Sequence, residues 1–157
     1  MAEAGGQDFA EVLGRIPIFG NLTLEECRKL MGICKKASFF TGKTVYAAGA
    51  PGNQMLILLK GTVSIHMSDG TEIAKVQPPD TVGEMEIVSA QPRAARAVAD
   101  SPVSGLTVDR PELEKLIHGE PEVGIKILKN LVDSLARKLD ATNQQLQRMG
   151  KAAGPNA

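Results

Sequence analysis

No stretch of this 157-residue chain holds the eighteen or so consecutive apolar residues that a membrane-spanning helix needs. The expectation is a soluble protein with no membrane partner. An excess of either charge is also lacking: 18 lysines and arginines face 18 aspartates and glutamates. No overall field gathers nucleic acid or an anionic surface, so any anion must be held by local geometry. Cysteine is scarce, with only Cys27 and Cys34, and the two histidines, His66 and His118, stand apart from both. That spacing fits no zinc or haem motif, so no metal and no cofactor are expected, and the cysteines read as small core residues. The first residues, MAEAGGQDFAEVLG, put acids where a secretion signal carries a basic start and an apolar run. A cytoplasmic, reducing setting is expected. A catalytic set is missing too: Glu84 and Glu86 are close, but alternate residues point apart, and no nucleophile or metal-ligand group accompanies them. The chain is read as not an enzyme.

What is present fits one ordinary domain with extensions. Thr23 followed by Glu26, ahead of Cys27, Leu30 and Met31, has the form of a capping box opening a short amphipathic helix, with IPIFGNL as its lead-in turn. From Lys36 to Leu106 the texture changes to short β-branched or apolar runs: SFF, TVYAA, MLILLKGTVSIHM, EIAKV, RAVA and VSGLTV. Ala50-Pro51-Gly52-Asn53 and Ser68-Asp69-Gly70 are turn sequences between these runs, and Gly61 interrupts the longest of them. A small all-β sandwich or barrel is predicted. Asp109 then caps a brief helix over Pro111 to His118, with Glu112 three residues on.

Pro121 starts a longer helix. Ile125, Val132, Leu139 and Leu146 recur every seven residues, as do Leu128, Leu135, Thr142 and Met149, which is the a/d seam of a coiled coil. From Glu122 to Met149 it would run roughly 40 Å, more than the barrel can cover. Its first turns are expected to pack on the barrel, and beyond Leu135 the seam predicts a parallel homodimer over residues 122–149. Lys35-Lys36 and Arg137-Lys138 read as solvated helix-face charges. The predicted organisation is a helical lead-in at 1–35, a barrel at 36–110, helices at 111–149 and a flexible tail at 150–157.

The stretch VGEMEIVSAQPRAARAVA, residues 82–99, carries the chemistry. A helical turn over Met85 to Ser89, entered from Gly83, aims its free N–H groups at one place, a ready anion site. Arg93, beyond Pro92, can turn its guanidinium over the same point as a bidentate phosphate clamp. Glu84 cannot serve the anion, but it suits a ligand with a hydroxyl donor close to its phosphate. A ribose phosphate meets both demands, and small Ala94 and Ala95 let it lie against the backbone.

This stretch resembles the phosphate-binding cassette of the cyclic nucleotide-binding domain family. Val82, Gly83, Glu84, Ile87, Arg93, Ala94, Ala95, Ala97 and Ala99 fit the pattern without a gap, and IPIFGNLTLEE, Gly61 and the closing helices extend the likeness over nearly the whole chain. The resemblance implies a mainly β fold, an eight-stranded jelly-roll barrel with flanking helices. It also implies a cyclic nucleotide ligand, with Glu84 accepting from the ribose 2′-hydroxyl and Arg93 clamping the cyclic phosphate. Val82 and Gly83 open that site, and the N–H groups around Met85, Glu86 and Ala94 complete the anion cradle. Alanine at 94, where cyclic-GMP-preferring relatives tend to place a hydroxyl, leans toward cyclic AMP. LARKLDATNQQL is similar to the dimer helix of the cAMP receptor protein branch, where Thr142 and Asn143 fall at adenine-contacting places; alternatively the Thr142 hydroxyl bonds back to its own helix.

Three residues depart from the family pattern. Glu86 stands where a small residue is usual and is expected to point into water or to pair with Arg96, itself unusual there; Pro79 stands where glycine is often found before Asp80. Only eight residues follow Met149, so the resemblance gives no DNA-reading element here. The function read from this is a stand-alone receptor for cyclic nucleotide, cyclic AMP before cyclic GMP. Ligand binding would move the C-terminal helix and signal through an unknown effector protein. The alternative from another class is a ligandless dimerisation or scaffold module retired by Glu86, and a third option keeps the fold but exchanges the ligand for haem or a small organic acid.

Overall fold

Met55–Leu58 is apolar at every position, and a strand of that kind is stable only when both of its faces are covered. In the computed structural model, which describes Glu11 and residues 13–153, this run lies at the centre of β3 (Gln54–Lys60) with all four side chains buried. Alternate residues face opposite ways. Met55 and Ile57 pack with Ile18, Phe19, Leu30, Val108, Ile127 and Leu131 under the helices. Leu56 and Leu58 join Val63, Val76, Val82, Ala97, Ala99 and Val103 in a second cluster.

The other strands are β1 (Cys34–Phe39), β2 (Thr44–Tyr46), β4 (Val63–His66), β5 (Glu72–Val76), β6 (Asp80–Val82), β7 (Arg96–Ala99) and β8 (Val103–Asp109). They form two antiparallel four-stranded sheets, in the orders β1-β8-β3-β6 and β2-β7-β4-β5, the arrangement of the expected jelly roll. In the first sheet Ile57 lies opposite both Thr81 on β6 and Leu106 on β8, which fixes β6, and with it the start of the cassette, against the buried strand. Gly61 breaks the long apolar run as predicted: at φ 90 it turns the chain between β3 and β4, and a Cβ there would collide with the Pro102 carbonyl.

Helices flanking the sheets among the described residues include α1 (Leu24–Met31), α2 (Glu84–Ser89), α3 (Arg110–Gly119) and α4 (Pro121–Ala153). The capping box of α1 is present in both directions, Glu26 N–H to Thr23 Oγ1 at 3.2 Å and Thr23 N–H to Glu26 Oε1 at 2.9 Å. Lys126 of α4 donates to the same Glu26 carboxylate at 2.7 Å, and this bond holds the carboxyl below its usual range. Asp109 precedes α3 but makes no side-chain cap, because Gln54 Nε2 (2.9 Å) and Lys35 Nζ (3.1 Å) already occupy its oxygens. Lys35 and Lys36 thus lie on β1 rather than on a helix face, and Lys35 is paired with Asp109 while its side chain stays exposed.

The long helix corrects one expectation. Its first turns pack chiefly through a neighbouring stripe, Val123, Ile127, Leu131 and Ser134, at a spacing of three and four, while of the seam only Leu128 and Leu135 are half-buried. Ile125 and Val132 of the seam are 59% and 62% exposed, as are Leu139, Leu146 and Met149 to a similar degree. Helix α4 continues through Gly150 to Ala153, part of the expected tail, and residues 154–157 lie outside the described residues, as do 1–10 and 12 of the expected lead-in. Among the described residues no helix is long and apolar enough to cross a membrane.

Candidate functional site

Gly83 enters α2 with φ 86, a left-handed conformation that suits glycine, and a Cβ there would run into the Arg93 guanidinium. Glycine thus serves two purposes: it turns the chain sharply from β6 into the helical turn, and it lets the arginine approach the backbone. Helix α2 is six residues long, one position longer at its start than the sequence suggested. Residues two apart on a helix lie about 200° round from each other at 3.6 residues per turn, so Glu84 and Glu86 face apart.

Arg93 is 5% exposed. It stands in the loop before β7, not on the strand, and its own N–H and C=O bond to Ala50 O and Gly49 N–H, both at 2.8 Å, tying the loop to the preceding turn. Its Nη1 donates to Gly83 O at 3.1 Å and to Glu86 Oε2 at 3.2 Å, and Nη2 donates to Gln54 O. The guanidinium lies 3.8 Å over the centre of the Tyr46 ring, a cation–π contact that fixes its plane. Burial pushes the Tyr46 phenol well above its ordinary pKa, with the Arg93 charge opposing the shift, and the phenol oxygen has no partner.

Glu86 therefore takes neither expected course: it points neither to water nor to Arg96, which is exposed, and instead forms a buried ion pair with Arg93. The helical turn causes this, since it carries residue 86 round toward the loop that holds Arg93. Glu84, 3% exposed, points the other way and is held by Lys138 of α4, whose ammonium also donates to Thr81 O at 2.7 Å and stands 3.5 Å from Asp80 Oδ1.

These groups border one cavity of about 880 Å³ between β5, β6, the cassette and α4. Of the residues singled out from sequence, Val82, Gly83, Glu84, Met85 and Glu86 line one side of it. Arg93, Ala94 and Ala95 line it from the loop, and Thr142 from the long helix. Asn143 does not; it is exposed on another face of α4. The Thr142 hydroxyl donates to Lys138 O at 2.9 Å, the back-bonded of its two anticipated states. The cavity wall elsewhere is apolar, with Ile65, Met67, Ile73 and Leu139 among its side chains. A buried cation at one end, a buried carboxylate near it and an apolar remainder suit a ligand with an anionic group, a hydroxyl and a flat apolar part.

Three contributors escaped sequence reasoning. The charge pair with Arg137 reads as solvated, yet Lys138 falls three residues after Leu135 and four before Thr142 and so shares their face. Tyr46 gave no signal in a short β run. Arg110 was passed over beside Pro111; its guanidinium caps α2 by donating to Glu86 O at 2.6 Å and Ile87 O at 3.1 Å, and also to Gly52 O. Cys27 and Cys34 lie away from the cavity: Cys27 is buried, and Cys34 donates to Leu30 O at 3.2 Å with its thiol pushed up to about 12 by burial.

Comparison with known proteins places this geometry. The chain is 31% identical over 140 residues to a CRP-like cAMP-activated global transcriptional regulator of Mycobacterium tuberculosis, covering 87% of this chain and 61% of that one. It is also 31% identical over 134 residues to a protein named glutaminase 2 of Bradyrhizobium diazoefficiens, covering 85% of this chain but 21% of the relative. The chain thus spans only part of either curated relative. Among solved structures, a cyclic nucleotide-binding domain from Methylobacillus flagellatus superposes with a TM-score of 0.82 at 26% identity, covering 94% of this chain and 85% of that one. The sequence model of the cyclic nucleotide-binding domain matches residues 36–120, which takes in the whole cassette and both sheets but for the first two residues of β1, and the chain belongs to the cyclic nucleotide-binding domain family.

Proposed function

We propose that the protein is a cyclic nucleotide receptor that prefers cyclic AMP. The observation that carries this is the buried Arg93 guanidinium on the wall of the cavity that also holds buried Glu84. In this reading Glu84 accepts from the ribose 2′-hydroxyl, and Arg93 clamps the phosphate together with the N–H groups of Met85, Glu86 and Ala94. The base lies toward Leu139 and Thr142 of α4. Arg93 keeps its bonds to Gly83 O and Gln54 O throughout; the one partner a phosphate can replace without breaking backbone ties is Glu86. The cAMP-activated relative from Mycobacterium tuberculosis supports the choice of nucleotide.

The response passes along α4. Its exposed stripe of Ile125, Val132, Leu139 and Leu146 supports a parallel homodimer through residues 122–149, and an effector protein reads the changed helix. We assign the barrel to 36–110 and the closing helices to 111–149, the long helix running on to Ala153 into what was expected as tail. The domain regulates and does not catalyse.

Calorimetric titration with cyclic AMP and cyclic GMP tests the reading. Arg93→Ala removes charge-assisted bonds worth about 1.5 to 3 kcal/mol, so affinity should fall roughly ten- to a hundredfold; the absence of heat with both nucleotides in the unaltered protein refutes it. A second reading, a ligandless dimerisation module, draws on the Glu86–Arg93 pair, which satisfies the clamp from within. It requires that Glu86→Ala gain nucleotide binding that the parent lacks.

A further inference from the structure

Two carbonyls of α2 and one from the turn before β3 converge on a single side chain at the start of α3. Arg110 donates through Nη2 to Glu86 O at 2.6 Å and to Gly52 O, and through Nε to Ile87 O at 3.1 Å. It is half-buried and does not border the cavity. Gly52 is buried, and a Cβ there would run into Glu86 Cβ and Gln91 O, so the turn lies directly against the cassette. The Ala90 N–H also serves Glu86 O, at 2.8 Å, whereas Gly52 O and Ile87 O have Arg110 as their donor.

The same turn holds Arg93. Ala50 O accepts from the Arg93 N–H and the Gly49 N–H donates to the Arg93 carbonyl, both at 2.8 Å, while Gln54 O takes Nη2 of the guanidinium. Its other side is fastened to residues 109 and 110: Gln54 Nε2 donates to Asp109 Oδ1 at 2.9 Å, and the Arg110 N–H to Asn53 O at 2.8 Å. Arg110 therefore grips both members of the Arg93–Glu86 ion pair by their backbones, Glu86 at its own carbonyl and Arg93 by way of Gly52, and bonds to neither charged end. Carbonyls that converge in this way suit the several fixed donors of a planar fork, which the point charge of a lysine does not reproduce.

We infer that Arg110 is the positioning residue of the phosphate clamp: it fixes the turn over 49–54 against α2 and so sets where the Arg93 guanidinium stands relative to Gly83 and Glu86. The inference rests on the nucleotide reading of the site and names a residue outside the cavity that shapes its anion-binding end. Without the fork, Gly52 O and Ile87 O lose their donor, and a carbonyl left without one is costly where water is scarce. The turn and the cassette then part to reach other donors, and Arg93 moves with the turn.

Amide exchange followed by NMR in ligand-free protein, compared among the parent, Arg110→Met and Arg110→Lys, reads this directly. Methionine keeps much of the apolar stem, removes every side-chain donor and leaves the backbone bond to Asn53 O. Exchange at Gly49 and Arg93, whose N–H groups join turn and loop, should rise about threefold or more, while Leu106 and Val108 in β8 keep the parent rate. Lysine should fall between the two, and if the methionine variant does not fold, the lysine variant should still raise exchange at both amides. Titration with cyclic AMP supplies the second readout: Arg110→Met should weaken binding about tenfold, the low end for one charge-assisted bond. In an Arg93→Ala background that loss should shrink below about twofold, because both backbones held by Arg110 serve the one guanidinium. Unchanged exchange at Gly49 and Arg93 overturns the inference, as does a rise shared by β8, which marks general loosening, or a tenfold loss that persists without the Arg93 guanidinium. Failure of the nucleotide reading shows separately, as no heat from the parent, and the exchange comparison then upholds or overturns the positioning role of Arg110 alone.

Discussion

Glu86→Gln should move stability and affinity in opposite directions, and the size of each follows from the ion pair. Glu86 Oε2 lies 3.2 Å from Arg93 Nη1 with the two side chains 12% and 3% exposed. A hydrogen bond between charged groups contributes about 1.5 to 3 kcal/mol and a neutral one about 0.5 to 1.5, so the isosteric amide should cost the empty protein about 1 to 1.5 kcal/mol. For a domain of this size that lowers Tm by roughly 2 to 6 °C. Binding reverses the sign. The phosphate must expel whatever sits on Arg93, and an amide is easier to expel by that same amount. It also removes a repulsion of about 3 kcal/mol for charges some 5 Å apart at an effective dielectric of 20, or under about 1 once the displaced carboxylate reaches water. Nucleotide affinity should therefore rise at least roughly fivefold. Thermal unfolding and calorimetric titration of the two proteins side by side decide the matter. A packing role for Glu86 lowers both quantities, so a variant that is less stable and binds no better refutes the reasoning.

Three further outcomes follow from other contacts. Tyr46→Phe deletes a buried hydroxyl that has no partner while keeping the ring under Arg93 at 3.8 Å, so stability in urea should stay level or rise by up to about 1 kcal/mol; a clear loss would show that the hydroxyl is bonded. Asp109 is held below the ordinary carboxylate range by its hydrogen bonds from Gln54 and then Lys35, so the folded state binds its proton less readily than the unfolded chain. Its stabilising effect is present above the unfolded value of about 3.9 and is lost as pH falls through the lower folded value. The parent should thus lose stability more steeply than Asp109→Asn below about pH 4, as followed by denaturant titration across pH. Val132→Asp places a charge on the exposed seam without touching the buried stripe; sedimentation should show the proposed dimer dissociating while the unfolding midpoint of the monomer stays put.

The barrel was legible because its signals are local. The four-residue apolar core of β3, the glycine at 61 and the capping box at Thr23 each follow from a short stretch, and each appears in the structure where the sequence put it. The cassette was legible for the same reason: Gly83, Glu84 and Arg93 stand ten residues apart or fewer. What escaped was every contact that spans the fold. Lys138 reaches Glu84 across 54 positions and Lys35 reaches Asp109 across 74; spacing puts Lys138 on the face of Leu135 and Thr142, but no local pattern names the distant carboxylate that either lysine meets. Glu86 was misplaced for a subtler reason. A carboxylate beside an anion site reads as needing an escape, whereas the site holds a buried guanidinium that itself needs an anion. The seam misled in its first turns because an apolar residue every seventh place predicts burial without naming the surface that provides it. The domain claimed the neighbouring stripe of Val123, Ile127 and Leu131 instead.

That division of the helix surface bears on how a signal could leave the site. Leu135, Leu139 and Thr142 belong at once to the heptad series and to the cavity wall, whereas Ile125 and Val132 belong to the series alone. A straight α-helix drifts by about 20° per heptad relative to a strict seven-residue repeat. Val132 and Leu139 thus lie within about 20° of one face, and Leu139 borders the cavity because the cavity opens beside the helix at its level. On the proposed dimer the partner helix would then rest on the same leucine that the ligand touches, and binding at either place alters the other through one side chain. By thermodynamic reciprocity, whatever factor the nucleotide applies to dimer affinity, dimerisation applies to nucleotide affinity. Measuring nucleotide binding on either side of the dimer dissociation midpoint therefore gives the coupling without any knowledge of the effector. A ratio of one would mean that ligand and partner share Leu139 without communicating through it.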